Sequence, residues 1–190
     1  MKEALRGYII DQVPYPKEEE INDILALFEE KHFKKGGLYK EPFKTSDYVA
    51  FLCEGSVRLI IHKENGDEIT ARILQDNSFI IDPYRLKGTD SSPLSIECLE
   101  DLTLLIASLK SIQKMLETNL ALNILVREYQ KEQMLEIGET HLLFLTGTAK
   151  ERYQHILEKN PEMLRKFPLR FIASMIGITP TQLSRVRNRK

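Results

Sequence analysis

The chain has 190 residues, 42% of them hydrophobic and 29% charged, with a net charge of −1. That length holds about one to two ordinary domains, and the composition is that of a soluble globular protein. No apolar run is long enough to span a bilayer, and Met1–Gly7 lacks the apolar core of a signal peptide, so a cytoplasmic protein off the membrane is expected. Charge is unevenly spread. Residues 147–190 hold ten Lys and Arg against three Glu, a net of +7, while the rest holds 17 against 25, or −8. A basic end on an acidic body suits a polyanion at one end only.

Taken in chain order, Ile21, Ile24, Leu25 and Phe28 recur at helical spacing and predict a helix over 17–31, ended by Phe33-Lys34-Lys35-Gly36-Gly37. A strand-rich region follows from about Leu38 to Leu109. Its clearest parts are Tyr48–Cys53, the Glu54-Gly55 turn, Ser56–His62, and Glu68–Leu74 after Asn65-Gly66, a pair that favours a type I′ hairpin. Ile69, Ala71 and Ile73 alternate with Thr70 and Arg72, the pattern of a half-buried strand. Leu94–Ala107 supplies further strand, and short antiparallel strands of this kind predict a small barrel or jelly roll. Ser108 is placed to cap a helix to about Thr118, a longer amphipathic helix runs from Asn119 to about Leu145, and Gly147 breaks it. Thr148-Ala149-Lys150-Glu151 is a capping box opening a helix to about Lys159. Cys53 and Cys98, far apart in apolar segments, read as buried free thiols.

The most specific signal is at the end of the chain. Phe171, Ile172 and Ile176 form an inward stripe, Ala173 is small where a second helix must approach, and Gly177 sits at a turn where positive φ is cheap only for glycine. Thr179 then caps a last helix, Pro180 fits its first turn, and Gln182 completes a capping box. At about 100° per residue, Leu183 and Val186 face inward and Thr181, Ser184, Arg185 and Asn188 face out. This is a helix-turn-helix pattern. An Arg and an Asn on its outward face suit guanine and adenine edges in a major groove. Arg187, Arg189 and Lys190 suit phosphates, which give affinity without sequence choice. Candidate DNA-binding residues are therefore Thr179, Thr181, Gln182, Ser184, Arg185, Arg187, Asn188, Arg189 and Lys190.

In order and spacing, several segments resemble the Crp/Fnr family of bacterial transcription regulators. They are Phe33-Lys34-Lys35-Gly36, Tyr48–His62 with Val57-Arg58-Leu59, Ala107–Ile112, Thr148–Tyr153 and Ile172–Val186. The chain is similar to the family's shorter members. The resemblance implies an α+β fold with a cyclic-nucleotide-binding-like jelly roll (1–118), a dimerisation helix and hinge (119–146), and a helix-turn-helix domain (147–190). It also implies a homodimer on double-stranded palindromic DNA. Pro180 and Thr181 stand where the family commonly has Arg and Glu, so the resemblance does not imply a target sequence. In the effector site, Ile81-Asp82 replaces the family's Gly-Glu, and Ser92 stands where an Arg neutralises the cyclic phosphate. Burying a phosphate without that cation is costly, so tight cyclic AMP binding is not expected. Ile69, Ala71, Ile73, Phe79, Ile81, Asp82 and Ser92 are the expected lining for a different, unidentified small-molecule effector.

His32, His62, His141 and His155 are scattered without metal-ligand spacing, and no nucleophile elbow or phosphate-binding glycine loop occurs. No metal, cofactor or enzymatic activity is expected; a cupin-like enzyme is the weakest reading. The alternative to a DNA-binding regulator is a ligand-sensing or scaffold module whose helical end binds protein.

Overall fold

The computed structural model describes residues 1–188. Arg189 and Lys190, two of the candidate phosphate contacts, lie outside the described residues. Two helices open the chain, α1 (Lys2–Gln12) and α2 (Glu18–Ala26). Leu5, Ile9 and Val13 lie at intervals of four, which gives α1 one fully buried stripe. The helix expected over 17–31 stops at Ala26, and Glu29–Phe33 forms strand β1, antiparallel to the last strand of the sandwich. The apolar helical period ends at Phe28. Glu29–His32 offers no further inward position, and strand pairing satisfies its backbone instead.

Seven more strands follow: β2 (Leu38–Lys40), β3 (Tyr48–Leu52), β4 (Ser56–His62), β5 (Glu68–Gln75), β6 (Ser78–Ile80), β7 (Leu94–Cys98) and β8 (Leu102–Ser108). They form two antiparallel sheets, β1-β8-β3-β6 and β2-β7-β4-β5, which is a jelly-roll order. Ala50, Leu52, Val57, Ile80, Ile96, Cys98 and Leu104 fill the space between the sheets. The outer face of the first sheet carries Val49, Phe51, Leu105 and Ala107, and packs against α1, α2 and the later helices. Both cysteines are free and buried. Burial pushes their thiols up, that of Cys98 to about 11.

Two local expectations change. At Asn65-Gly66 only the glycine has positive φ (87°). The Asn65 side chain accepts a hydrogen bond from the Asp67 amide (3.1 Å), and Gly66 N–H donates to Lys63 O, so the hairpin closes as a three-residue loop rather than type I′. In β5 the alternation is broken. Leu59 pairs with Arg72 and Ile60 with Thr70, which leaves Ala71 as a bulge. Thr70 and Ile73 therefore share a face, and both are buried on it.

Helix α3 (Pro83–Leu86) interrupts the strands, and α4 (Leu109–Met115) follows β8. Ser108 stands at the α4 N-cap but makes no side-chain capping bond. The long helix α5 (Leu120–Thr146) starts at Asn119, whose side chain accepts from Leu122 N (2.8 Å) and donates to Glu20 O (3.0 Å). One cap thus fixes both the helix start and its seat on α2. Four helices complete the chain: α6 (Ala149–Lys159), α7 (Met163–Lys166), α8 (Leu169–Met175) and α9 (Pro180–Asn188). The expected Thr148–Glu151 capping box is formed. No described helix is long and apolar enough to cross a membrane.

Candidate nucleic-acid interface and the barrel interior

The α8–α9 pair is built by local hydrogen bonding. Gly177 joins the helices at φ 69°, and a Cβ there would lie 3.1 Å from the Phe144 ring. The positive φ favours glycine, and the close Phe144 ring adds to that preference. Thr179 N–H donates to Gln182 Oε1 (2.9 Å), and Gln182 N–H donates to Thr179 Oγ1 (3.2 Å), the reciprocal box that starts α9. Leu183 is fully buried against Phe171, Ile172 and Ile176, so the rotation of α9 is fixed. Thr179, Thr181, Gln182, Ser184, Arg185, Arg187 and Asn188 are all exposed on its remaining surface. Neither Arg185 nor Arg187 forms an ion pair among the described residues.

Sequence reasoning missed how this helical pair is anchored. Ser174 Oγ accepts from Thr70 N–H (2.9 Å), Arg58 lies 4.1 Å over the Phe171 ring, and Ile73 joins the Phe171–Ile172 core. From α6, the Arg152 guanidinium donates to Ile176 O (3.0 Å) and Gly147 O (3.2 Å) while lying 4.7 Å over Phe144. One side chain thereby ties the end of α5 to the α8–α9 turn.

Helix α5 has two unlike faces. Leu122, Leu125, Val126 and Tyr129 pack inward on the first sheet, and Glu136 pairs with Arg72 of β5. On the opposite side Leu120, Met134, Leu135, Leu142 and Leu145 are each more than half exposed, with Gly138 among them. At about 100° per residue these fall in one stripe along the helix, with Arg127 and Lys131 in its middle turns.

The seven residues expected to line one effector pocket are not gathered together. Ile69 is half-buried opposite Ile61, Ala71 is the exposed bulge, and Ile73 faces outward under α8 because of that bulge. Phe79 and Ile81 lie on the helix side of the first sheet. Asp82 and Ser92 belong to a separate buried cluster around Lys40, a residue with no local sequence signal.

In that cluster the Lys40 and Asp82 side chains are 2% and 0% exposed, 3.4 Å apart. Lys40 Nζ donates to Leu94 O, Ser92 Oγ and Glu41 O, which uses its three protons. Asp82 Oδ1 accepts from Tyr84 N (3.0 Å) and Ser92 Oγ (3.2 Å), capping α3. Oδ2 has no hydrogen bond of its own and is held by the charge of Lys40 alone. Burial pushes the Lys40 ammonium below its ordinary range, and Asp82 opposes that shift. The buried cation of this cluster is thus already paired with the protein's own carboxylate. Among the described residues, no group of three or more His, Cys, Asp or Glu is placed to hold a metal ion.

Comparison with known proteins agrees with this architecture. Residues 30–119 match the cyclic nucleotide-binding domain. No curated protein sequence matches the chain. Among solved structures, the c-di-GMP responsive global regulator CLP from Xanthomonas campestris has a TM-score of 0.70 at 14% identity, over 90% of this chain and 89% of that one. FixK2 from Bradyrhizobium japonicum gives 0.68 at 20%, over 85% and 83%. A crp/fnr-family regulator from Eubacterium rectale gives 0.64 at 15%, over 90% and 81%. At these identities the likeness is one of fold: a cyclic nucleotide-binding β-sandwich followed by helices.

Removing one partner of a buried ion pair costs about 3–5 kcal/mol, because the other charge is left uncompensated. Lys40→Met should lower unfolding stability by about that amount in urea titration. Lys40→Met with Asp82→Asn, which keeps the α3 cap without the charge, should recover much of it. A Lys40→Met protein as stable as the native one contradicts the pairing.

Proposed function

We propose that the chain is a DNA-binding transcription regulator of Crp/Fnr type, acting as a homodimer on a palindromic site. Residues 147–190 would form its helix-turn-helix domain, 119–146 the dimerisation helix and hinge, and 1–118 the sensor. The observation that carries this reading is α9: a helix fixed in rotation by buried Leu183, with Thr181, Ser184, Arg185 and Asn188 exposed together. Such a helix can enter the major groove with Arg185 and Asn188 as base readers and Arg187 on phosphate. The basic charge of this end supports a polyanionic partner. The fold shared with the regulators CLP and FixK2 supports it by analogy.

Dimerisation is supported by the exposed apolar stripe of α5, which a second copy would cover by two-fold pairing. Cyclic AMP is not its signal on this reading. Asp82 already holds the buried cation, and bringing a phosphate beside that carboxylate would set like charges together.

Selection from random double-stranded DNA by the purified protein should return a palindrome with half-sites about one helical turn apart. Arg185→Ala should weaken binding to that site by roughly 1–3 kcal/mol and leave random-sequence affinity nearly unchanged. Equal loss on both would remove it as a base reader, and retention of protein partners but no DNA would favour the scaffold reading. Leu142→Glu, on the exposed stripe, should turn the dimer into a folded monomer in sedimentation equilibrium; an unchanged oligomeric state places the interface elsewhere. In calorimetric titration cyclic AMP should show no binding at micromolar concentration, and micromolar affinity would contradict the closed-cluster argument.

A further inference from the structure

Beneath α5, on the helix side of the first sheet, lies a chamber of about 230 Å³. It is bounded by Phe79 and Ile81 from the sheet side, Ile112 from α4, and Val126 and Tyr129 from α5. Leu86 of α3, 59% exposed, stands at its rim. None of its lining residues is Lys, Arg, His, Asp or Glu; apart from backbone, only the Gln113 and Gln130 amides and the Tyr129 hydroxyl are polar. It is separate from the Lys40–Asp82 cluster, although the two meet in sequence: Ile81 lines the chamber and Asp82 enters the cluster.

We propose that this chamber binds a small uncharged apolar molecule, an aromatic ring carrying a short substituent or an alkyl chain of like size. Protein interiors leave few voids larger than a water molecule. A dry apolar cavity of about 150 Å³ is enough to take benzene. This one is larger, and water inside it would find few partners. Its wall is aliphatic with three aromatic rings, Phe28, Phe79 and Tyr129; Phe79 meets Tyr129 edge-on at 5.6 Å and is backed by Phe51 at 4.9 Å. The lining also selects against charge, since an ion brought there would lose its hydration with no counter-ion. Nucleotides and carboxylates are therefore excluded and neutral hydrophobes favoured. The inference holds whether or not α9 binds DNA.

The test uses the full chain with methyl-labelled NMR and thermal unfolding, with indole and butylbenzene as probes and benzoate as a charged control. The neutral probes should shift the methyl signals of Ile24, Ile81, Ile112 and Leu125. At about ten times Kd they should raise Tm by about 3–6 °C. Benzoate should bind at least about tenfold more weakly, because its charge must be desolvated. Val126→Phe, which fills the space, should abolish the shifts while circular dichroism stays native; Ile112→Phe serves if that variant does not fold. Three results overturn the proposal: no response to either probe, shifts confined to β4 and β5, or equal binding of benzoate. So does a chamber closed by a second copy, seen as methyl shifts that follow protein concentration and ignore the probes.

Discussion

The seat of α5 on the first sheet is the contact on which the rest of the molecule depends. Leu122 and Leu125 are almost fully buried there beside Phe28, Val49 and Ile112. Burying one such side chain contributes about 1.5–3 kcal/mol. Asn119 adds the cap and a bond to Glu20 O, so α5 cannot start elsewhere without leaving buried polar groups unpaired. From that seat the 27-residue helix runs along β5, where Gln133 and Glu136 meet Arg72, to Phe144 near its end. The exposed stripe, the Arg72 contact and the Phe144 platform all take their positions from that seat.

From this seat a continuous set of contacts reaches α9. Tyr129 packs on Phe79; Gln133 and Glu136 receive Arg72; Phe144 supports Arg152; Arg152 binds Ile176 O beside Gly177. On the other side β5 holds α8 through Thr70 and Ile73. The α8–α9 pair is thus held between β5 and the end of α5. Because Arg72 of β5 also binds Gln133 and Glu136 of α5, these two supports are themselves joined.

What could be read from the sequence follows the range of the forces involved. Thr148–Glu151 and Thr179–Gln182 were legible because a capping box is closed within four residues. The strand-rich middle and the start of α5 were legible from periodicity and from Asn119. β1 was not, because Glu29–His32 has no apolar pattern and becomes a strand only through pairing with β8. Helix α1 was not read either, although Leu5, Ile9 and Val13 carry its period. The bulge at Ala71 belongs to the register between two strands, so alternation within β5 pointed Ile73 to the wrong face. Lys40 reads as an ordinary exposed lysine in Leu38-Tyr39-Lys40; its burial exists only because Asp82 and Ser92 arrive from the α3 region of the chain.

The position of the Lys40–Asp82 pair bears on where this fold can sense anything. A buried ion pair is weak evidence of stability, since desolvation offsets most of the attraction. Its clearer effect is to spend the only buried cation of that cluster on an internal partner and to cap α3 at the same time. Leu52, Val57, Ile80 and Ile96 are buried together in the space between the sheets. Other space lies where the sheets meet the helices. There the apolar chamber touches α5 on the face opposite its exposed stripe. One helix thus carries the chamber wall on one face and the exposed apolar stripe on the other.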